Sequence, residues 1–402
     1  MFAREYLKEL VPLCAGLLFS ACPQSGDVLY RNDGGEEIYD RFTTKEILPS
    51  SALPERMTRL KFFPNSREFL ALGQGGEVFH LVLEEDSARL LGSFTVPDVA
   101  PGLVELGLTD AAFDPQFQAN GHVYFCFSTG DNRWNRIVRM QWSNNYAAIV
   151  NSSTIMLNID RIAPVNAFHG IYALAFAADG SLYATIGDAT QSQFAQDPGS
   201  LLGKLIRIMP TDAGGYSIPA DNPYLDDDRV RGEIAAFGLR SPFRLLVWGD
   251  KILIGDVGAN RFEEIDFYEA GRTNFGWPEC EGVCDRSEFQ NPILAIGHND
   301  PAYQLEDPEP AGDLRHAIAL GVVYDGAGDD PYQNLLDSRL LFNDVFLGYV
   351  RAARISAAGE LSDNKHIFHK FAVTSMDTGP DGYIYGSTIY SSQVFRVELK
   401  AP

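Results

Sequence analysis

Positive charge is scarce in this sequence of 402 residues. The chain has 32 lysines and arginines against 54 aspartates and glutamates, which gives a formal net charge of −22 at pH 7. Nucleic-acid binding requires clustered cations that neutralise phosphates, and the sequence contains no basic stripe. We therefore expect no nucleic-acid partner. An acidic surface promotes solubility, and it also favours calcium and small neutral or cationic substrates.

Cysteine is also rare, with five residues, of which Cys14 and Cys22 lie near the N terminus. The spacing of Cys280 and Cys284 is suitable for a small disulfide loop in an oxidising compartment, and Cys126 then remains as a buried strand thiol. No second Cys or His pair with ligand spacing lies nearby in the sequence, which argues against a zinc-type site. We predict a Cys280–Cys284 disulfide.

Long hydrophobic runs are absent except at the N terminus, where residues 1–22 have the pattern of an export signal. The apolar part, LVPLCAGLLFSA, is too short for a mature membrane-spanning helix. LFSAC resembles the lipobox of bacterial lipoproteins, so we expect a lipidated Cys22 in the cell envelope (periplasm). Plain secretion and an uncleaved segment are the alternatives. Polar residues 23–50 are expected to form a linker to a domain at 51–402.

No long segment has a helical period, and a strand–turn–strand pattern recurs instead. Each unit has an apolar strand, a turn rich in Asp, Asn, Gly or Pro, and a second strand with aromatic or β-branched residues. Six such units predict an all-β fold, a six-bladed β-propeller of four-stranded antiparallel blades. The units are 57–76, 109–131, 169–190, 242–258, 318–355 and 373–388.

The unit at 169–190 contains a histidine and a carboxylate at its two ends. His169 precedes Asp179 of the turn by ten residues and Asp188 follows it by nine, so an antiparallel hairpin brings both to the same end. Cross-strand Cβ atoms lie roughly 5 Å apart, close enough for the carboxylate to orient the imidazole as a general base. The alternative is a structural pair. Gly-Asp steps, which are also typical of plain blade turns, end two further units, at 130–131 and 255–256.

Seven motifs follow one another between about residue 50 and residue 398. They are LGLTDAAFDPQFQANGHVY, the His169 hairpin, AQDPGSLLGKLIRI, YSIPADNPY, EIAAFGLRSPFRL, GDVGANRFEEIDFYEAGRTNFGWPECEG and GPDGYIYGST. In this order they resemble the glucose/sorbosone dehydrogenase family of six-bladed propellers, soluble enzymes that bind pyrroloquinoline quinone (PQQ) with calcium. The resemblance implies oxidation of an aldose sugar or related alcohol at C1, with an electron acceptor that the sequence does not identify.

The resemblance also implies roles for individual residues. The catalytic histidine of the family falls on His169, its aspartate partner on Asp188, and the arginine of its G-x-R-N-P motif on Arg240. The histidine would take the hydroxyl proton of the sugar while hydride passes to the quinone. Arg240 would make the quinone more electrophilic and bind the cofactor together with Ser241.

Further residues are expected to bind the metal and the substrate. In the family, backbone carbonyls of the loop after the Gly-Asp strand hold calcium, which points to Gly258 and Ala259, with Glu263 beside them. Glu105 matches a polar family position and is expected, together with Tyr172, to contact the substrate.

Several positions depart from the family pattern. Ser241 replaces an asparagine, Tyr172 stands where the family has glycine, and Asp325 stands where a lysine or arginine would bind a quinone carboxylate. Arg351 and Arg354 are candidates to supply the missing cation. Because hedgehog-interacting proteins use the same fold without catalysis, a cofactor-free module that binds a glycan or a protein is the alternative function.

Overall fold

The structure is a computed structural model that describes residues 41–49, 52–53, 56–102, 105–162, 168–300, 316–326 and 330–400. The expected signal at 1–22, its Cys22, and most of the expected linker lie outside the described residues. Within them, no helix is long and apolar enough to cross a membrane.

Six antiparallel sheets form the six blades of a β-propeller, as the sequence predicted. Five of the predicted strand–turn–strand units each supply the two inner strands of one blade, and the unit 318–355 supplies the first three strands of blade 5. Blades 1 to 3 are β2 (Met57–Phe62), β3 (Glu68–Gly73), β4 (Glu77–Leu83) and β5 (Ala88–Thr95); β6 (Leu108–Phe113), β7 (His122–Ser128), β8 (Trp134–Gln141) and β9 (Thr154–Asp160); and β10 (Ile171–Phe176), β11 (Leu182–Ile186), β12 (Lys204–Pro210) and β14 (Ile234–Phe237). Blades 4 to 6 are β15 (Pro242–Trp248), β16 (Lys251–Asp256), β17 (Phe262–Tyr268) and β19 (Leu294–Gly297); β20 (Ile318–Tyr324), β21 (Arg339–Asp344), β22 (Tyr349–Ile355) and β23 (Leu361–His369); and β24 (Val373–Thr378), β25 (Ile384–Thr388), β26 (Val394–Leu399) and β1 (Phe42–Leu48).

A few short elements decorate the blades. Blade 3 is extended by β13 (Tyr216–Ser217), which pairs with β12, and by β18 (Thr273–Asn274), which runs parallel to β14. Two short α-helices, α1 (Phe117–Asn120) and α2 (Tyr146–Asn151), lie in blade 2 connections. A 3-10 helix (Ser192–Ala195) follows the inner hairpin of blade 3.

The ring closes through the N-terminal strand. β1 (Phe42–Leu48) pairs antiparallel with β26, so the last blade combines both ends of the described chain. This pairing closes the ring of blades, because the first and last parts of the described chain share one sheet. The predicted domain boundary at residue 51 is therefore wrong: residues 42–48, which the sequence placed in the linker 23–50, are part of the propeller because blade 6 needs a fourth strand.

Apolar side chains pack between neighbouring blades. Tyr124 of blade 2 and Leu174 and Ile206 of blade 3, for example, belong to one buried cluster. Within blade 3, the Asp179-Gly180 turn forms as predicted, and Gly180 has a φ of 86°, which favours glycine. Phe176 then pairs with Leu182, which fixes the register of the inner hairpin.

One end of the propeller, which we call the mouth, is where every inner strand begins. Just before the inner strand, a backbone carbonyl accepts a hydrogen bond from the amide that follows the second strand of the same blade. Gly170 with Gly187, Ser241 with Val257, and Ala317 with Val345 are such pairs in blades 3, 4 and 5. These bonds place His169, Arg240 and His316, each one residue before the carbonyl, at corresponding mouth positions.

Candidate active site at the mouth of blades 3 and 4

His169 and Asp188 meet at the mouth of blade 3. His169 Nδ1 lies 2.6 Å from Asp188 Oδ1, and both side chains are more than nine-tenths buried. His169 has a φ of 51°, and its carbonyl accepts the amide of Ala189. The two residues lie just outside the hairpin strands, so the hairpin itself brings the pair together. This geometry leaves Nε2 as the ring nitrogen for proton transfer.

Asp188 is held on both carboxylate oxygens. Its Oδ1 also accepts the amide of Thr190 at 2.7 Å, and the indole Nε1 of Trp277 donates to Oδ2 at 2.8 Å. Burial alone would raise the pKa of the Asp188 carboxyl, but the neighbouring His169 and the hydrogen bonds hold this pKa below its usual value. The carboxylate therefore stays ionised and can stabilise a protonated His169.

Arg240 occupies the next mouth position, in blade 4. Its Nη1 donates to the carbonyl of Val257 at 2.9 Å, and its guanidinium carbon lies 5.5 Å from the centre of the Trp277 ring. Trp277 thus contacts both Asp188 and Arg240, although the sequence did not single it out. The only signal for it was its place in the NFGWP part of a family motif.

The backbone that presents Arg240 is fixed by Asp256. The amides of Arg240 and Ser241 donate to the two Asp256 oxygens at 2.8 and 2.6 Å. Burial raises the pKa of Asp256 to about 7, despite these bonds. The three Gly-Asp steps are therefore not equivalent. Asp188 orients a histidine, and Asp256 binds two backbone amides. Asp131 accepts hydrogen bonds from the Thr129 hydroxyl and the Arg133 amide in an exposed turn.

Glu105, Tyr172 and Ser241 connect the entries of blades 2, 3 and 4. The Tyr172 hydroxyl donates to Glu105 Oε2 at 2.5 Å and lies 2.9 Å from Ser241 Oγ. Glu105 Oε2 also accepts the amide of His169 at 3.2 Å. Burial and the Glu105 charge raise the pKa of Tyr172, so it stays neutral. Because Tyr172 is fully buried, the structure gives it a role in bracing the base rather than an open contact surface.

The expected metal ligands are divided between two places. No described donor bonds to the carbonyl oxygens of Gly258 and Ala259. Glu263 does not join them: its carboxylate accepts the amide of Ile318 at 2.9 Å and lies 2.9 Å from His298 Nε2. The prediction that Glu263 accompanies the loop carbonyls is therefore not supported by its contacts. Within the described ranges, no cluster of three His, Cys, Asp or Glu side chains could hold a metal.

The predicted cations of blade 5 lie in its third strand and not in the inner strand that begins at the mouth. Arg351 is in the third strand, β22, where its Nε donates to Asn364 Oδ1 at 2.8 Å inside the blade. Arg354 lies near the other end of the same strand, opposite Arg339 of β21 and Ser362 of β23 in the strand register. Asp325 follows Tyr324, on the order of 25 Å along β20 from the mouth. The contacts of Arg351 therefore give no support to its assignment to the site, and Arg354 and Asp325 lie at strand ends opposite the mouth.

A second arginine lies beside the site. Arg161 is buried, and its Nη2 donates to the carbonyl of Phe168, the residue before His169, at 2.8 Å. Burial lowers the pKa of Arg161 to about 10, while the nearby Tyr172 and Glu105 partly oppose this shift. No sequence motif marked this residue.

The cysteines of the described chain lie as the sequence suggested. Cys280 and Cys284 form a disulfide, and Cys126 is a buried free thiol. Burial raises the pKa of the Cys126 thiol well above its usual value, so it remains an inert core side chain. The disulfide lies in the segment that follows Trp277, next to the site.

The sequence profile of the family described as Glucose / Sorbosone dehydrogenase matches residues 55–394. This chain belongs to that family. Among curated proteins, an aldose sugar dehydrogenase of Escherichia coli (strain K12) is 28% identical over 346 residues, which is 83% of this chain and 87% of that protein. The chain is therefore placed, at family level, among sugar dehydrogenases.

Two further proteins are similar to this chain, one in its structure and one over part of its sequence. The structure of a PQQ-bound aldose sugar dehydrogenase from Streptomyces coelicolor has a TM-score of 0.69 and 17% identity, with 90% of this chain and 99% of that chain covered, which supports the fold. Hedgehog-interacting protein of Homo sapiens is 29% identical over 158 residues, but these are only 36% of this chain and 22% of that protein.

The mouth residues fit an anionic quinone and a hard cation in part. Of the three guanidinium nitrogens of Arg240, only Nη1 bonds to a described protein group. The other two nitrogens remain as donors for an anion. The carbonyls of Gly258 and Ala259 are hard oxygen donors of the kind that calcium takes. Ser241 provides a hydroxyl where the family has an amide, and that hydroxyl already bonds to Tyr172.

Proposed function

We propose that this protein is a PQQ-dependent dehydrogenase that oxidises an aldose sugar or a related alcohol at C1. The observation that carries the proposal is the 2.6 Å contact between His169 and a buried, doubly held Asp188, with Arg240 at the adjacent mouth position. A base and a cation next to each other are what proton removal with hydride transfer requires. Family membership and the PQQ-bound relative support the choice of cofactor.

In this proposal each residue has a separate task. His169 Nε2 takes the proton of the sugar hydroxyl, and Asp188 stabilises the imidazolium that results. PQQ, when bound, supplies the two-electron acceptor for the hydride. Arg240 balances negative charge on the acceptor side, and Gly258 and Ala259 would hold Ca²⁺ through their carbonyls. A second electron acceptor then reoxidises the enzyme.

Reconstitution tests this function directly. The purified apo-protein is titrated with PQQ in the presence of Ca²⁺, and dye-linked oxidation of a panel of aldoses and polyols is then measured. We expect PQQ binding at micromolar concentration and turnover of at least one sugar. Absence of PQQ binding at that concentration would remove the enzyme proposal.

A cofactor-free binding module is the second candidate. The observation that favours it is the buried Tyr172, which bridges blades 2 to 4 where the family has glycine, together with the partial similarity to hedgehog-interacting protein. A glycan array or pull-down with the apo-protein tests it. Binding of a glycan or protein that persists when no PQQ is present, without any dehydrogenase activity, is the result expected of this candidate.

We also propose that the protein is exported and anchored through a lipidated Cys22 in the bacterial cell envelope. The Cys280–Cys284 disulfide supports an oxidising compartment. Metabolic labelling with palmitate should mark the wild type and not C22S. A soluble, unlabelled wild-type product would instead indicate plain secretion.

A further inference from the structure

The segment 277–284 touches both functional sides of the mouth. At its start, Trp277 donates to Asp188 and lies under Arg240. Near its end, Glu281 lies inside the small disulfide loop closed by Cys280 and Cys284. The same short stretch of chain is therefore bound to the partner of the base and constrained by a covalent crosslink.

Glu281 fills a ring of backbone amides in the neighbouring 257–262 loop. One of its oxygens, Oε1, accepts from the amides of Ala259, Asn260 and Arg261 at 2.9 Å each, and from Phe262 at 3.3 Å. Successive amides that point to one centre form an anion-binding concavity. Because the acceptor is a carboxylate, these bonds are charge-assisted and stronger than bonds to a neutral group.

The packing around this contact leaves little room for an alternative loop shape. A Cβ on Gly258 would lie 1.6 Å from the carbonyl oxygen of Phe262, so the loop closes tightly on itself at a glycine. Gly282 has a φ of 81°, and a Cβ there would lie 2.5 Å from the Phe262 ring. Its amide donates to Glu264. The disulfide loop is thus seated against the 257–262 loop.

The 257–262 loop in turn holds the site. The carbonyl of Val257 accepts Arg240 Nη1 at 2.9 Å, and the next two residues, Gly258 and Ala259, carry the carbonyls proposed for calcium. A change in the loop would therefore move the arginine and the metal ligands together. The amides of residues 259–262 point towards Glu281, and this fixes the orientation of the peptide groups between them. The carbonyls of Gly258 and Ala259 accept no hydrogen bond from a described donor.

We propose that Glu281 is a positioning residue, kept in place by the Cys280–Cys284 disulfide, which sets the shape of the 257–262 loop and through it the position of Arg240. Its link to calcium and PQQ rests on the proposed function, whereas its effect on the loop and on Arg240 does not. Neither Glu281 nor the disulfide needs to touch the substrate.

Hydrogen–deuterium exchange of the apo-protein tests the contact. We expect the amides of 259–262 to exchange about tenfold faster or more in E281A, because each loses a charge-assisted bond. E281Q keeps an oxygen of the same shape and should recover part of the protection. The C280S/C284S variant should also exchange faster than the wild type. E279Q is the matched control, because among the described residues the Glu279 side chain bonds only to the half-exposed Arg286.

The indole signal of Trp277 reports whether the effect reaches Arg240. The chain has four tryptophans, so W277F identifies this signal in a ¹⁵N spectrum. It should shift in E281A, return towards the wild-type position in E281Q, and stay unchanged in E279Q. A folded E281A protein with wild-type exchange at 259–262, or with an unmoved Trp277 indole, overturns the proposal.

A calcium titration of the same samples separates this proposal from the proposed function. We expect E281A to bind Ca²⁺ about tenfold or more weakly than the wild type, because the carbonyls of 258 and 259 lose their fixed orientation. A wild type that binds no calcium contradicts the metal assignment of the proposed function, and the exchange and indole results on the apo-protein still decide the role of Glu281.

Discussion

Two histidines stand at corresponding mouth positions, His169 in blade 3 and His316 in blade 5, and each contacts a carboxylate. His316 Nδ1 lies 3.2 Å from Asp344 Oδ2, compared with 2.6 Å for His169 and Asp188. Asp188 follows the residue that bonds back to the inner strand, whereas Asp344 precedes it. The same two residue types are thus brought together by different local geometry.

The surroundings of the two pairs differ more than the pairs themselves. The His316 ring is stacked on His298, with ring centres 4.3 Å apart, and its buried Nε2 has no hydrogen-bond partner among the described residues. Beneath it, Glu263 bonds to His298 and to the amide of Ile318. No described aromatic ring stacks on His169, and Arg240 occupies the adjacent mouth position instead. A histidine–carboxylate pair therefore becomes a candidate base where no neighbouring ring encloses it and a cation is adjacent.

Alanine substitutions should separate the two histidines most strongly. We expect H169A to lower kcat by about 10²–10⁴-fold, the usual contribution of a general base, and to leave the fold intact. H316A should keep kcat within a few-fold, because its imidazole is enclosed between His298 and Asp344. Dye-linked turnover of the reconstituted protein measures both. Equal losses of kcat in the two variants would contradict the distinction between the two histidines, and unchanged activity in H169A would contradict the assigned base.

Replacement of Asp188 should affect mainly activity, whereas replacement of Asp344 should affect mainly stability. D188N should lower kcat by about 10²-fold and alter the pH profile of turnover, because the amide no longer orients His169 or stabilises its protonated form. D344N should instead lower the free energy of unfolding by about 1–3 kcal/mol, since it weakens a buried hydrogen bond to His316. Turnover, its pH profile and chemical denaturation of both variants provide the measurements. A D344N protein with lost activity and normal stability would show that the roles were exchanged.

The sequence predicted the fold because each inner hairpin has its own turn signal. It also predicted the His169–Asp188 contact, because the distances along the chain to the Asp179-Gly180 turn are nearly equal on both sides. Such local information is present in one hairpin. The bulge between Ile171 and Ala173 takes up one residue of the first strand, which accounts for the count of ten residues before Asp179 and nine after it, and the pairing of Ile171 with Ile186 leads on to His169 and Asp188.

The same reasoning failed where the position within a blade matters. Arg351 lies in a third strand and Asp325 at the opposite end of an inner strand, and composition alone does not distinguish these places from the mouth. Glu263 and Glu264 illustrate a second limit: neighbouring residues of one strand face opposite sides, and pairing partners decide which side is which. The amides that bind Glu281 belong to a separate loop, so no local sequence pattern predicted this contact.

A pH-dependent test extends the comparison to Asp256, which ends the second strand of blade 4 as Asp344 does in blade 5. Burial raises the pKa of Asp256 from about 3.8 to about 7 in the folded protein. Between these values the folded protein binds more protons than the unfolded chain, so stability falls as the pH rises towards 7. Below pH 4 both states are protonated and this contribution is constant.

We therefore expect the free energy of unfolding to fall from pH 5 to pH 8, and this fall to be smaller in D256N by about 1 kcal/mol or more. Asparagine cannot ionise, although it retains one oxygen for the amides of Arg240 and Ser241. Glu264 and Asp266 also have raised pKa values, and the Asp256 charge contributes to both, so the difference between the two pH slopes reports Asp256 together with its effect on these two neighbours. Urea denaturation at several pH values measures the slopes. Parallel slopes would mean that Asp256 is ionised throughout, and blade 4 would then hold Arg240 with a permanent carboxylate, as blade 3 holds His169.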